Sequence, residues 1–176
     1  MSTVPVKVLF VVASVGYQPK EYTIPKQIVS HEGIEVVTAS NGNGVATASD
    51  GSSTKIDFSL NQINLEGYAG IFFIGGPGAL ESLDNQESYR LLSQAQRLNI
   101  PYGAICISPR ILAHAHTLTG KRATGWDGDG KLTEVFNQSG VIRVAHEVVI
   151  DGNVVTASGP EAAHEFGKAI VSLVKR

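Results

Sequence analysis

The chain is poor in several residue types, and each shortage excludes a class of structure. Only one of its 176 residues is cysteine, so neither an internal disulfide nor a cysteine-rich metal site can form. Charged residues make up 17% of the chain and the net charge is −2, which gives no electrostatic basis for binding nucleic acid or an anionic membrane. The longest apolar run, around Val8 to Ala13, is far too short to cross a bilayer.

The remaining composition is that of a globular protein. Apolar residues account for 43% of the chain, which argues against disorder. The length predicts a single domain spanning residues 1–176, large enough for a sizeable core. The N-terminus lacks a charged segment followed by a signal-type apolar run. We therefore expect a soluble, cytoplasmic protein that binds neither nucleic acid nor membrane.

Strand-like apolar runs alternate with helix-like segments along the chain. The predicted strands cover residues 6–13, 34–39, 68–74, 102–107, 147–150 and 154–157. The predicted helices cover residues 23–32, 84–98, 131–137 and 160–174, with one more beginning at 109. Residues 41–53 are predicted to be a loop, and 55–60 a short strand or hairpin arm. This alternation predicts an α/β fold, with a mostly parallel sheet covered by helices on both faces.

The single cysteine, Cys106, lies where a predicted strand runs into a helix. Ser108 is predicted to be the N-cap and Pro109 the first helical residue, where a missing N–H costs nothing. A sharp turn here directs the side chain out of the sheet, as the nucleophile elbow of α/β-hydrolases does for serine. The helix start favours the thiolate, so we expect a lowered pKa for Cys106. The alternative is a buried structural thiol.

Two other predicted strands also end in unusual sequences. Residues 14–21 follow the first strand, and the glycine-rich residues 75–78 follow the third. Ligands of a parallel sheet bind at the carboxyl ends of its strands, so these segments and Cys106 predict one shared site. The glycine turn and the N–H of Ile107 can form an oxyanion hole, or the turn is an ordinary one. It matches neither a dinucleotide nor a phosphate-loop motif, and we expect no cofactor.

Glu21 is the acidic residue near the end of the first strand. In a half-buried site its pKa would be raised and it could act as a general acid or base. The alternative is a solvated acid at a helix start, which its position alone favours. None of the five histidines has metal-ligand spacing with a nearby acidic partner, so we predict no metal site.

Four short motifs together carry a resemblance to a known family. They are EYTIP at 21–25, IGGPGA at 74–79, AICISP at 104–109 and VVTASGP at 154–160. In this order they resemble the DJ-1/PfpI superfamily over nearly the whole chain. The resemblance implies a flavodoxin-like three-layer sandwich and a homodimer or higher oligomer. It assigns the reactive cysteine to Cys106, the partner carboxyl to Glu21, and the oxyanion donors to the backbone of Gly76 and Ile107.

The chain departs from the pattern of this superfamily at its histidines. Many members carry histidine directly after the cysteine, where this chain has Ile107. Others carry it in the region that corresponds to residues 123–127, where Trp126 takes its place. The final strand motif often carries arginine where Ser158 stands. These departures argue against a protease-type cysteine–histidine dyad.

Two functions are consistent with the sequence. In the first, Cys106 attacks a small electrophilic substrate, as in a hydrolase, hydratase or glyoxalase, and Glu21 transfers a proton. We expect Gly75, Tyr17 and Trp126 to line the substrate pocket of this enzyme. In the second, the protein is a non-enzymatic redox sensor or stress-protective protein, and Cys106 is oxidised to a sulfinate. Both functions need a reactive cysteine, so the sequence does not separate them.

Overall fold

The computed structural model describes residues 3–176, and a seven-stranded sheet lies at the centre of these residues. The strands are β1 (Lys7–Val12), β2 (Val15–Tyr17), β3 (Glu35–Ser40), β4 (Val45–Ala48), β5 (Ser53–Lys55), β6 (Phe58–Ser59), β7 (Ile71–Phe73), β8 (Tyr102–Ile105), β9 (Arg122–Ala123), β10 (Ile142–Arg143), β11 (Val148–Asp151) and β12 (Val154–Ala157). The helices are α1 (Pro19–His31), α2 (Ala79–Leu83), α3 (Gln86–Leu98), α4 (Pro109–His114), α5 (Leu132–Gln138) and α6 (Ala163–Val174). Short 3₁₀ turns cover Leu60–Gln62 and Pro160–Ala162.

The main sheet has the strand order β11–β12–β8–β7–β1–β3–β6. Its strands pair in parallel except for the antiparallel pair β11–β12. The chain crosses from β1 to β3 through α1, and in the opposite direction from β7 to β8 through α3. Because such crossovers are right-handed, α1 and α3 cover opposite faces; α1 packs against α6, while α4 contacts α3 and α5. The predicted α/β sandwich is confirmed.

The reversal of direction makes β1 and β7 the switch point of the sheet. In doubly wound sheets the crevice beyond the carboxyl ends of such strands is where ligands bind. The segment around β2 follows β1 here, and the glycine-rich turn follows β7. Cys106 follows the next strand, β8. The topology therefore brings together the three segments that the sequence singled out.

Helix α1 begins four residues earlier than the sequence pattern predicts. The side chain of Gln18 accepts a hydrogen bond from the backbone N–H of Lys20 at 2.8 Å, and Pro19 opens the helix. A proline at this position is favourable because its missing N–H would have no helical partner. The early start places Glu21 in the first turn of the helix, where it reaches the end of the sheet.

The prediction of a loop over residues 41–53 is wrong in part. Strand β4 and the first residue of β5 lie within it, and with β2 they form a second, three-stranded sheet. Ala46 and Ala48 are buried while Val45 and Thr47 are exposed. The alternation is that of a half-buried strand, but small alanines carry its inward face, so the apolar signal is weak.

Strands β1, β7 and β8 are buried along nearly their whole length, as expected for parallel strands covered on both faces. Phe72 of β7 is fully buried, and its ring packs edge-on against Phe10 at 6.2 Å and Phe166 at 6.4 Å between centroids. These three rings join β1, β7 and α6. Within residues 3–176, no helix is long and apolar enough to cross a membrane.

The Phe72→Ala variant should strongly destabilise the fold. Truncation of a fully buried phenylalanine removes apolar contacts and leaves a cavity, which lowers the free energy of unfolding by about 3–5 kcal/mol. Urea denaturation of both proteins measures this difference. Phe58, which is 43% exposed, provides the control, and Phe58→Ala should cause a much smaller loss. Equal losses in the two variants would contradict the packing described for Phe72.

Candidate active site

Cys106 occupies a strained turn between β8 and α4. Its φ angle is +64°, in the left-handed region that residues with a side chain rarely adopt. Backbone hydrogen bonds to two other segments hold the turn: the Cys106 N–H donates to the Ala157 oxygen at 2.9 Å, and the Trp126 N–H donates to the Cys106 oxygen at 2.6 Å. Ser108 occupies the predicted N-cap position of α4, but its hydroxyl does not bond to the helix and donates instead to the Ile74 oxygen at 2.7 Å. Such strain in a stable fold is typical of functional positions.

The glycine-rich turn after β7 packs directly against the segment after β1. A Cβ atom at Gly76, where φ is +124°, would lie 2.4 Å from the Gly16 oxygen and 2.5 Å from the Gln18 nitrogen. A Cβ atom at Gly78 would lie only 1.9 Å from the Val15 oxygen. Both positions therefore require glycine. The close contact fixes the Gly76 backbone at the edge of the site.

Glu21 is fully buried beneath this turn. Its Oε1 accepts a hydrogen bond from the Gly75 N–H at 3.1 Å. Within residues 3–176, its Oε2 has no partner with ordinary hydrogen-bond geometry. A Cβ atom at Gly75 would lie 2.6 Å from both Glu21 Oε1 and Cys106 Cβ, so only a glycine backbone separates the acid from the cysteine. Burial raises the pKa of Glu21 to about 8, although interactions with Cys106 and Gly75 oppose the shift.

The surroundings of Cys106 raise its pKa to about 12. Burial is the largest cause, followed by the charge of the adjacent Glu21, while the backbone N–H groups of Ile107 and Gly76 lower the pKa. The sequence predicted a lowered value from the helix start. The difference arises because α4 has only six residues, and its weak dipole does not offset burial beside a carboxyl group. Cys106 and Glu21 therefore titrate as a coupled pair.

A pocket of about 300 Å³ opens over the thiol. The residues that line it are Gln18, Gly76, Pro77, Cys106, Ile107, Trp126 and Pro160. Trp126 thus lies where the sequence places it. Tyr17 instead lines a separate groove beside Tyr22, and Gly75 lies behind the pocket against Glu21. Gln18, Pro77 and Pro160 lie within segments that the sequence singled out, but their side chains carry no acid, base or nucleophile, so the sequence did not assign them to the pocket lining.

Histidine does not line this pocket among the residues that the structure describes. His114, the histidine closest in sequence to Cys106, pairs instead with Asp84 at 2.7 Å. Residues 3–176 contain no group of three or more His, Cys, Asp or Glu side chains that could hold a metal ion. The acid–base chemistry available at the thiol is therefore that of Glu21.

Known proteins resemble this chain in both sequence and fold. The sequence profile of the DJ-1/PfpI family matches residues 6–173. The chain belongs to the DJ-1/PfpI family. An uncharacterized protein of Methanocaldococcus jannaschii is 30% identical to it over 97% of this chain and 83% of its own length.

Two further relatives connect the family to an activity and to a fold. A protein of Pyrococcus horikoshii named a deglycase is 29% identical over 96% of this chain and 99% of its own length. The crystal structure of a ThiJ/PfpI domain protein from Brachyspira murdochii superposes with a TM-score of 0.91 at 24% identity, covering 96% of each chain. The flavodoxin-like fold implied by the motifs is confirmed.

The Glu21→Gln variant should move the alkylation profile of Cys106 to lower pH. The substitution keeps hydrogen-bonding capacity but removes the carboxylate charge, which raises the pKa of Cys106, and leaves the backbone amides that lower it. Iodoacetamide rates between pH 6 and about 11 test this: the wild-type rate should still be rising at the top of the range, whereas Glu21→Gln should approach its plateau at lower pH. A free cysteine with a pKa of about 8.5 gives the reference. Cys106→Ser controls for labelling elsewhere. Superimposable profiles for wild type and Glu21→Gln would show that the two groups are not coupled.

Proposed function

We propose that the protein is a cysteine-dependent enzyme that acts on a small electrophilic substrate, such as an aldehyde, an amide or a nitrile-like carbon. The observation that supports this most strongly is the placement of a strained cysteine beside a buried carboxyl group of raised pKa. Strain and a perturbed acid in one pocket are typical of catalytic sites. Relatives named as deglycases also fit an enzyme with a reactive cysteine.

In the proposed reaction Cys106 adds to the electrophilic carbon while Glu21 moves the proton. The ionised Glu21 accepts the thiol proton as the sulfur–carbon bond forms, so no free thiolate is needed. The electron pair of the carbon–heteroatom π bond moves to the heteroatom. The N–H groups of Gly76 and Ile107 stabilise the resulting anion, and Glu21 then returns the proton to it. Charge and atoms balance as the addition of S–H across the double bond.

The pH dependence of activity provides a direct test. Below its pKa of about 8, Glu21 is protonated and cannot accept the thiol proton, so kcat/KM should rise as the pH increases through this value. Glu21→Gln should lower kcat/KM by about 10²–10⁴, and Cys106→Ser should abolish turnover. A panel of dicarbonyls, peptides, amides and isocyanides is the assay. Lack of turnover of the whole panel, or full activity in Glu21→Gln, would contradict the proposal.

A second candidate function, redox sensing, is favoured by the same amides and acid. A Cys106 sulfinate would accept hydrogen bonds from the Gly76 and Ile107 N–H groups, and from Glu21 while it is protonated. The chain has no second cysteine, so a sulfenic acid cannot form an internal disulfide and can proceed to sulfinate. However, the raised pKa of Cys106 makes the thiolate scarce at neutral pH. The oxidation rate therefore separates the two functions.

Oxidation by mild peroxide should be slow at pH 7 and faster at higher pH. Two equivalents of hydrogen peroxide, each reduced to water, convert the thiol to a sulfinate. Intact-mass spectrometry follows the gain of two oxygen atoms, which should be absent in Cys106→Ser. Rapid and complete conversion to sulfinate at pH 7 would instead support the redox-sensing function.

A further inference from the structure

We infer that Arg110 is a positioning residue that fixes Trp126 as the wall of the Cys106 pocket, and that this wall makes the pocket select uncharged, flat electrophiles. This inference rests on the proposed function for the identity of the pocket, since it assumes that substrates approach Cys106 there. It adds the substrate class and a residue outside the pocket lining. Its test uses the thiol itself and does not require turnover.

The backbone of Trp126 is held at both ends by the segment that carries the nucleophile. Its N–H donates to the Cys106 oxygen at 2.6 Å, and its carbonyl accepts from Arg110 Nη2 at 3.0 Å. The indole is held too, because the guanidinium carbon of Arg110 lies 5.7 Å from the ring centroid. A Cβ atom at Gly128 would lie 2.3 Å from Trp126 Cζ2, so the backbone also packs on the ring. The wall is therefore coupled to the cysteine turn.

The contacts of Arg110 are those of a residue that positions Trp126, and not those of a residue that binds an anionic substrate. It is only 3% exposed and does not line the pocket. Its guanidinium makes a two-point ion pair with Asp129, with Nη1–Oδ2 at 2.9 Å and Nη2–Oδ1 at 2.7 Å. A planar guanidinium can bind the carboxylate and the Trp126 carbonyl and stack on the indole at once, whereas a lysine cannot.

Among the residues that the structure describes, the pocket lining offers a charged substrate no charged side chain. Apart from Cys106, the side chains that line it are those of Gln18, Pro77, Ile107, Trp126 and Pro160, and none of them is ionisable. An anion entering here would lose its hydration and gain only the backbone N–H groups of Gly76 and Ile107, with no cation. The nearby Glu21 would also repel it when ionised. The indole face instead favours stacking by a flat, apolar group. A fixed Trp126 keeps the pocket narrow enough for this selection to act.

Alkylation by a matched pair of reagents tests the inference. Iodoacetamide and iodoacetate present the same reactive carbon, but only iodoacetate is charged. In the wild type the ratio of the iodoacetamide rate to the iodoacetate rate should exceed that of free glutathione. In Arg110→Met this ratio should fall toward the glutathione value, because a Trp126 side chain that is no longer held in place admits water and ions to the pocket. Trp126 is the only tryptophan, so its emission should also shift to the red and become easier to quench with acrylamide.

Two further variants test the ion pair between Arg110 and Asp129. Asp129→Asn weakens the ion pair without changing the size of the side chain, and it should move both readouts in the same direction as Arg110→Met. Arg110→Lys keeps the charge and should not restore them. If Arg110→Met does not fold, Asp129→Asn alone decides the outcome.

The control is Arg90→Met on α3, since Arg90 also bonds to backbone carbonyls, those of Leu60 and Ile63, and pairs with Glu87. It should leave both readouts at wild-type values. Unchanged emission and an unchanged rate ratio in both Arg110→Met and Asp129→Asn would overturn the inference, as would a wild-type ratio equal to that of glutathione. Because these measurements need only the thiol of Cys106, they stand apart from turnover of any substrate. If the protein turned over no substrate, the proposed function would be wrong, but the rate ratio and the Trp126 emission could still respond to Arg110→Met as expected.

Discussion

The buried carboxyl group of Glu21 is the constraint on which the site depends. It lies in the first turn of α1, accepts a hydrogen bond from Gly75 after β7, and interacts with Cys106 after β8. The shift of its pKa from 4.5 to about 8 means that folding favours the protonated acid. Its contribution to stability is complete below pH 4.5 and is lost as the pH rises through 8. An ionisable group that is kept although it costs stability at neutral pH is characteristic of a functional site.

The acid can occupy this position because the surrounding backbone has no side chains. The turn at Gly75, Gly76 and Gly78 meets the segment after β1 and the Cys106 Cβ at distances that exclude a Cβ atom. The same close approach turns the Gly76 N–H toward the sulfur. The glycines therefore admit the carboxyl group and also supply one half of the proposed anion-binding site, the Gly76 N–H. The second half comes from the Ile107 N–H, which the strained Cys106 turn orients.

Much of this arrangement could be predicted from local sequence and from the rule for parallel sheets. The Cys106 turn is predictable because an apolar strand runs into Ser108 and Pro109. The topology of an α/β sheet then brings three strand ends together. The full burial of Glu21 could not be predicted from the sequence, because it depends on a helix that begins at Pro19 and on the depth of the crevice. The raised pKa of Cys106 was missed for the same reason, since desolvation is a property of the packed site. Arg110 was missed because its partner Asp129 is 19 residues away.

Histidine is not among the described residues that line the pocket, and the proposed reaction therefore assigns both proton transfers to one carboxyl group. In that reaction Glu21 takes the proton from sulfur and delivers it to the heteroatom, so the proposed addition begins and ends with the same ionisation state. Such a sequence suits a neutral substrate that becomes a neutral adduct, because no net charge is left in the pocket. The apolar side chains around Trp126 also favour a neutral substrate, since they cannot form an ion pair with a charged one. The acid–base chemistry of Glu21 and the recognition surface of the pocket therefore point to the same class of molecule.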